Sequence, residues 1–272
     1  MSDLEKSLED ETNQVISDFG AQWVKYTDNA GYYASSQLLQ DIFGTLLSLN
    51  EIKGARTLDV GSGSGRIVNM LLDVGTAHVV AVEPSMAFSV LKENTRGREE
   101  QIQYINLRGD QLPDMKLDFA FSIGVLHHIP DPIPVVRRVY DCLKLGGKFL
   151  FWVYGKEGNE LYLFFVLPLR KITQRLPDSI LSILAHILNI GVSIYAFFCL
   201  FIPLPLHKYM RNVYIKLDWK TRFLAIFDQL NPAYSKYYTQ DEAVALMKSG
   251  GFQNIKIERR QNYSWTVIGE KL

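Results

Sequence analysis

Ten residues constrain the chain more than any others: Leu58-Asp59-Val60-Gly61-Ser62-Gly63-Ser64-Gly65-Arg66-Ile67. A short apolar run ends in three glycines on alternate positions and passes directly into a helical pattern. Glycine lets the backbone turn through positive φ and approach a ligand with no Cβ in the way. A helix that starts near Gly65 aims its free N–H groups and positive dipole end at whatever sits on the loop. This is the pattern of a nucleotide-type site on a parallel sheet. A dinucleotide fingerprint wants glycines at its first, third and sixth positions, which here are Gly61, Gly63 and Arg66. The sixth position fails, and the third glycine arrives one residue early.

The next apolar run, His78-Val79-Val80-Ala81-Val82, ends at Glu83. An acid at a strand tip can accept hydrogen bonds from both hydroxyls of a ribose. Dinucleotide enzymes share that feature, so Glu83 supports an adenosine-type ligand without choosing between classes. Strands are expected over Arg56–Val60, His78–Glu83, Gln103–Leu107, Leu117–Ile123 and Lys148–Tyr154. Helices should alternate with them over Gly65–Asp73, from a Ser85 cap onward, and from an Asp131 cap with Pro132 at the first position to Leu145. That alternation implies a parallel sheet with right-handed crossovers.

Before it, Asp3 to Phe19 carries six acids against one base and a thin apolar stripe, which reads as a loose helix. The aromatics Phe19, Trp23, Tyr26, Tyr32 and Tyr33 fit either the cover of a ligand or the packing of a cap. An amphipathic helix is expected over Ser35–Asn50. After Gly155 the alternation breaks. Residues 155–235 read as apolar helices over Leu161–Leu169, Ile180–Leu206 and Val213–Leu230, with no strand. A capping box at Thr239-Gln240-Asp241-Glu242 then opens a helix that stops at Gly250-Gly251, and Phe252–Glu258 and Tyr263–Gly269 read as a hairpin. The fold class is therefore α/β: a Rossmann-like, mostly parallel sheet with a terminal antiparallel hairpin, plus a helical insert after strand five. The expected division is an N-terminal helical cap over 1–53, a core of 54–154 and 236–272, and an insert over 155–235 that forms a substrate lid.

With these residues placed, D-x-G-x-G-x-G resembles motif I of class I S-adenosylmethionine-dependent methyltransferases. The chain is similar to the small-molecule group that includes ubiquinone and menaquinone biosynthesis enzymes. The resemblance rests on Leu58–Ile67, on Ala81-Val82-Glu83-Pro84-Ser85, on Gly109-Asp110-Gln111-Leu112-Pro113, on Asp118–Pro132, and on Leu143–Lys148, where Leu145 stands in place of the usual proline. It implies S-adenosyl-L-methionine as cofactor. Asp59, Gly61, Ser62, Gly63 and Gly65 would hold its methionine part and Glu83 its ribose. Pro84, Ser85 and Met86 would lie beside the adenine, Asp110 with Gln111 would meet its exocyclic amine, and Ser122 to Val125, Gly124 included, would lie at the methionine end. The insert lies outside the resemblance.

Methyl transfer from a sulfonium needs alignment and exclusion of water more than an acid, and a hydroxyl acceptor needs a base. His127 and His128 follow strand four where the methyl group should sit, so either is a candidate base for oxygen methylation or a packed structural residue. Asn231-Pro232-Ala233-Tyr234 is similar to the box of amine-methylating nucleic-acid enzymes, but it stands more than 100 residues too late. Lys+Arg and Asp+Glu both count 29, so no global basic surface argues for nucleic acid, and none is expected as partner. Cys142 and Cys199 have no metal-type spacing, and no metal is expected. The acidic, non-apolar stretch Met1–Asp18 does not read as a secretory signal, so a cytoplasmic protein is expected.

Other readings are a nucleotide-cofactor oxidoreductase and a cofactor-binding regulator without turnover. The insert is expected to select an apolar or lipid-like acceptor through Tyr162, Phe164, Phe165, Tyr195, Phe197 and Phe198, the alternative being a sugar or other polar metabolite. It holds nine Lys/Arg against five Asp/Glu. A closed lid, peripheral contact with an anionic membrane and a true span all remain open on sequence grounds.

Overall fold

The computed structural model describes residues 3–173, 175–231 and 234–272. A long first helix, α1 (Asp3–Lys25), precedes α2 (Ser36–Phe43). Then come β1 (Arg56–Val60), α3 (Arg66–Val74), β2 (His78–Val82), α4 (Phe88–Asn94) and β3 (Ile102–Ile105). β4 (Leu117–Ile123), α5 (Ile133–Cys142) and β5 (Leu143–Tyr154) complete the alternation. The insert holds α6 (Glu160–Thr173), α7 (Asp178–Phe198), α8 (His207–Asn212) and α9 (Trp219–Leu230). α10 (Gln240–Ser249), β6 (Gln253–Arg260) and β7 (Ser264–Glu270) follow.

The seven strands lie in the order β3-β2-β1-β4-β5-β7-β6. β1 pairs parallel with β2 and β4, β2 with β3, and β4 with β5, whereas β7 runs antiparallel to both β5 and β6. The expected fold class is the one observed. Both sheet faces are covered, as the near-continuous apolar strands require. One face carries α5 and α10 through Val135, Val136, Val139, Leu246 and Met247, and the other carries α2 and α3 through Leu39, Phe43, Val68 and Leu71.

Several boundaries differ from those expected. The helix after Ser35 stops at Phe43 because Gly44 turns at φ 60°, where a Cβ would strike the Glu258 carboxylate. α1 runs on through Gly20 and Trp23 to Lys25. Gly20 lets α1 press against the turn after β2, since a Cβ there would meet Met86 Cγ at 2.9 Å. α4 starts at Phe88, and Ser85 acts upstream of it, its Oγ accepting from Ala87 N–H at 3.1 Å. α5 starts one residue beyond Pro132, although the Asp131 carboxylate still accepts from Ile133 N–H at 3.2 Å. It ends at Cys142, because β5 begins at Leu143 opposite Leu117. The apolar stretch 180–206 is one helix only to Phe198 and then turns before α8. The Thr239–Glu242 capping box is present.

Candidate active site

The carboxyl ends of β1, β2 and β4 open on one cavity of about 1270 Å³. This is more than the roughly 300–1,000 Å³ of an ordinary small-ligand site, so it has room for two molecules. Gly61, Ser62, Gly63, Glu83, Pro84, Asp110 and Gly124 line one end. The other end lies in the insert, among Leu161, Tyr162, Phe165, Leu188, Tyr195 and Ile226. α1 covers the cofactor side with Phe19 and Trp23.

The glycine loop is held by its own backbone. The N–H groups of Gly61 and Ser62 donate to the Val82 carbonyl at 2.9 and 2.8 Å, and Gly65 N–H donates to Ser62 O at 2.8 Å. Gly63 N–H donates to Glu83 Oε2 at 2.8 Å, and Ser85 N–H donates to Glu83 Oε1 at 2.9 Å. These bonds take up the amides of the loop itself; the N–H groups expected to face a ligand, those at the start of α3, are not among them. Amides already bound inside the protein offer no cradle for a pyrophosphate, which fits a phosphate-free ligand. Two bonds leave the Glu83 carboxylate with further lone pairs for the hydroxyls of a ribose. Gly63 sits at φ 52°, and a Cβ there would lie 3.3 Å from the Trp23 indole nitrogen, so the space above it belongs to α1.

Other candidates lie behind the cavity wall. Asp59 is buried with Oδ2 unpartnered, and burial pushes its carboxyl up to about 7. Gly65 caps α3 in a left-handed conformation, and Ser122 is buried with its hydroxyl donating to Val60 O at 3.3 Å. Met86 is largely exposed beside Gly20, and the Gln111 side chain faces outward. Asp110 is gripped by Arg108, which also donates to Glu9 on α1 at 2.7 Å. The residues that meet at the cofactor end are therefore Gly61, Ser62, Gly63, Glu83, Pro84, Asp110 and Gly124.

The two histidines diverge. His128 lines the cavity, and its Nδ1 donates to the Tyr234 carbonyl at 3.0 Å, which leaves Nε2 as an acceptor. His127 is 0% exposed, stands off the cavity wall, and packs 3.9 Å from the Tyr154 ring centre with both nitrogens unpartnered. Burial drives both pKa values down, that of His128 to about 4 and that of His127 well below its usual value. Burial disfavours the imidazolium at both positions, which fits the reading of His127 as a packed structural residue and leaves His128 the one that reaches the cavity. Of the Asn231–Tyr234 tetrad, Pro232 and Ala233 lie outside the described residues.

A carboxyl that titrates near neutrality stands on the insert and was missed in the sequence. Asp228, on α9, lines the cavity, and burial pushes it up to about 7. It accepts a hydrogen bond from Gln22 Nε2 on α1, and the Arg66 guanidinium opposes its shift. Its charge acts on Tyr33 beside the glycine loop and on Tyr154 at the tip of β5. Next to it, Gln229 organises a polar cluster. Gln229 Nε2 donates to Tyr154 OH at 2.8 Å, while Tyr162 OH and Tyr237 OH donate to Gln229 Oε1 at 2.8 and 2.9 Å. Arg170, 5% exposed, stands behind and donates to Tyr237 OH at 2.9 Å. The one sequence signal was an acid–amide pair, Asp228-Gln229, in the apolar second half of α9.

A family model described as a methyltransferase domain matches residues 58–151. The tRNA U34 carboxymethyltransferase of Shewanella halifaxensis is 32% identical over 116 residues, which cover 41% of this chain and 35% of that protein. The Pseudomonas aeruginosa protein of the same name is 34% identical over 113 residues, 40% of this chain and 35% of its own. The chain thus matches about a third of the length of these curated relatives. A methyltransferase structure from Mesorhizobium loti aligns over 90% of this chain and 100% of its own, with TM-score 0.51 and 16% identity. Human N-acetylserotonin methyltransferase, in complex with its methyl donor, aligns over 87% of this chain and 54% of its own, with TM-score 0.50 and 15% identity. Family match, strand order and the Glu83–glycine-loop geometry agree: the chain carries a class I S-adenosylmethionine-dependent methyltransferase domain.

Proposed function

We propose that this protein transfers a methyl group from S-adenosylmethionine to an oxygen of an apolar, lipid-like acceptor, over which the insert closes as a lid. The observation that carries the reading is the single cavity running from Glu83 and the glycine loop into the aromatic and aliphatic walls of α6, α7 and α9. When bound, the cofactor supplies a methyl carbon already activated by a positive sulfur. Glu83 holds the ribose end and α1 excludes water. The insert walls hold the apolar body of the acceptor, with the Tyr154 hydroxyl, kept in place by Gln229, donating to the acceptor oxygen. Asp228 would take the proton that leaves the acceptor oxygen. His128 Nε2 is the competing base, weakened by a pKa near 4. An acceptor in tRNA, the substrate named for the curated relatives, is the second reading.

Native mass spectrometry of the purified protein, followed by methyl transfer from isotope-labelled donor to prenylated phenols, simple phenols, sugars and total tRNA, tests the proposal. Label entering an apolar phenol as an ether supports it. Label entering tRNA or a sugar and none of the phenols refutes the acceptor, and tight binding of NAD without the methyl-donor product refutes the cofactor site.

A further inference from the structure

α7 carries an apolar stripe that no part of the chain covers among the described residues. Ile180, Ile183, Ile187, Ile190, Ile194 and Phe197 recur at alternating steps of three and four, which places them along one side of the helix, and Phe201 follows in the turn after it. All are exposed, Ile183 and Ile187 by 62% and 61%, Phe201 by 74%. Phe198 at the end of α7, Leu200 and Ile202 in the turn after it, and Phe164, Phe165 and Ile172 on α6 are exposed as well. A patch of this extent marks a docking surface.

We propose that this face docks on an anionic lipid bilayer, lying along the surface without crossing it. The inference rests on the lipid-like acceptor proposed above for its purpose and on the surface alone for its geometry. Three observations choose this occupant.

The first is charge. No Lys, Arg, Asp or Glu occurs from Ser179 to Phe198, whereas exposed Lys171 and Arg175 precede α7 and exposed Lys208 and Arg211 follow it. Basic residues beyond both ends of this uncharged stretch, against the one acid Asp178 at the first position of α7, complement anionic head groups. The three–four spacing would also suit a helix of a second copy, but the charged side chains that flank and fix such a seam are absent from Ser179 to Phe198.

The second is the route to the cavity. Leu161 and Phe165 of α6 line the cavity and are also 56% and 65% exposed. Leu161 and Phe165 therefore give the cavity an apolar rim at the surface of the insert, where an apolar acceptor can enter.

The third is the opposite side of α7, which excludes a span although the helix is long and apolar enough to cross a membrane. Leu181 and Ala185 pack with Phe223, Phe227 and Leu230 of α9, and Leu188, Val192 and Tyr195 face the cavity. Asn189, fully buried, accepts from Tyr214 OH at 2.8 Å.

Flotation with phosphatidylglycerol-containing vesicles and with pure phosphatidylcholine vesicles, at low and high salt, tests the proposal on the full chain. Wild type should float with the anionic vesicles and lose roughly tenfold in partition at high salt as screening sets in. The combined variant Ile187→Glu/Ile194→Glu, outside the cavity, should lose flotation at least tenfold while its titration with S-adenosylhomocysteine and its melting temperature stay unchanged. Absence of flotation with a folded, ligand-binding wild type overturns the proposal. Equal flotation with neutral vesicles overturns its electrostatic basis. Sedimentation of the wild type as a dimer that the same variant dissociates assigns the face to a second copy and also overturns it. Flotation does not read methyl transfer, so a protein that floats but methylates only a hydrophilic acceptor supports the docking and refutes the acceptor.

Discussion

Gln22 on α1 and Asp228 on α9, 206 residues apart, join across the cavity through a hydrogen bond from the amide nitrogen to the carboxylate. The N-terminal helix and the insert thus meet at a titrating group. α1 is tied down a second time by the Glu9–Arg108 pair, at 2.7 Å, and a third by Trp23 over Gly63. Any opening of α1 for ligand entry breaks the Gln22 bond and hydrates Asp228, so access and the protonation of this carboxyl are coupled.

The coupling predicts the pH profile. Asp228 must be ionised to accept a proton, so kcat/KM should rise with pH through an apparent pKa near 7. Asp228→Asn should abolish that limb and lower kcat by about 10²–10⁴-fold. His128→Asn should leave the limb in place, because the imidazole, pushed down to about 4, is already neutral across it. A limb that disappears with His128→Asn and survives Asp228→Asn would transfer the role to the histidine.

Glu83→Ala should weaken S-adenosylhomocysteine binding by about 1.5–3 kcal/mol in a calorimetric titration. The substitution removes the acceptor for the ribose and also frees the Gly63 and Ser85 amides that hold the loop. Unchanged affinity would displace the ribose from this site.

The histidines should separate in thermal melts. His127 has two buried nitrogens and no partner, so an apolar ring in its place removes an unsatisfied group, and His127→Phe should hold or raise the melting temperature. His128→Phe orphans the Tyr234 carbonyl and should cost about 1–3 kcal/mol. A larger loss at His127 than at His128 would show an interaction at its nitrogens that the packing does not reveal.

Asp59 sets a stability dependence of opposite sign to the usual carboxylate. Its folded pKa is raised from 3.8 to about 7, so the folded state binds the proton more tightly than the unfolded chain. The associated stability is fully present below pH 3.8 and is lost as pH rises through about 7. At about 1.4 kcal/mol per pKa unit and 2–4 °C per kcal/mol, melting temperature should fall by about 5–10 °C from pH 5 to pH 8. Asp59→Asn should remove this share of the fall and leave a comparable share due to Asp228, whose carboxyl is raised over the same range. A melting temperature that rises over this window in the wild type contradicts the assignment.

Local sequence determined the sheet, the glycine turn and the tip acid. Strand and helix periods, glycines that need positive φ at 61, 63 and 65, and a capping box at Thr239 act over a few residues, and each is legible where it stands. The apolar insert without strands was legible in the same way. Tertiary structure decided which polar groups meet. Asp228 on α9, Gln22 on α1 and Arg66 on α3 come from three distant segments, and the burial that their packing creates raises the carboxyl toward neutrality against the opposing pull of Gln22 and Arg66. The same desolvation lowers His127 and His128, which sequence position alone marked as equal bases. Periodicity names the residues of a face, whereas burial and the partners that set a pKa depend on what the rest of the chain packs against that face.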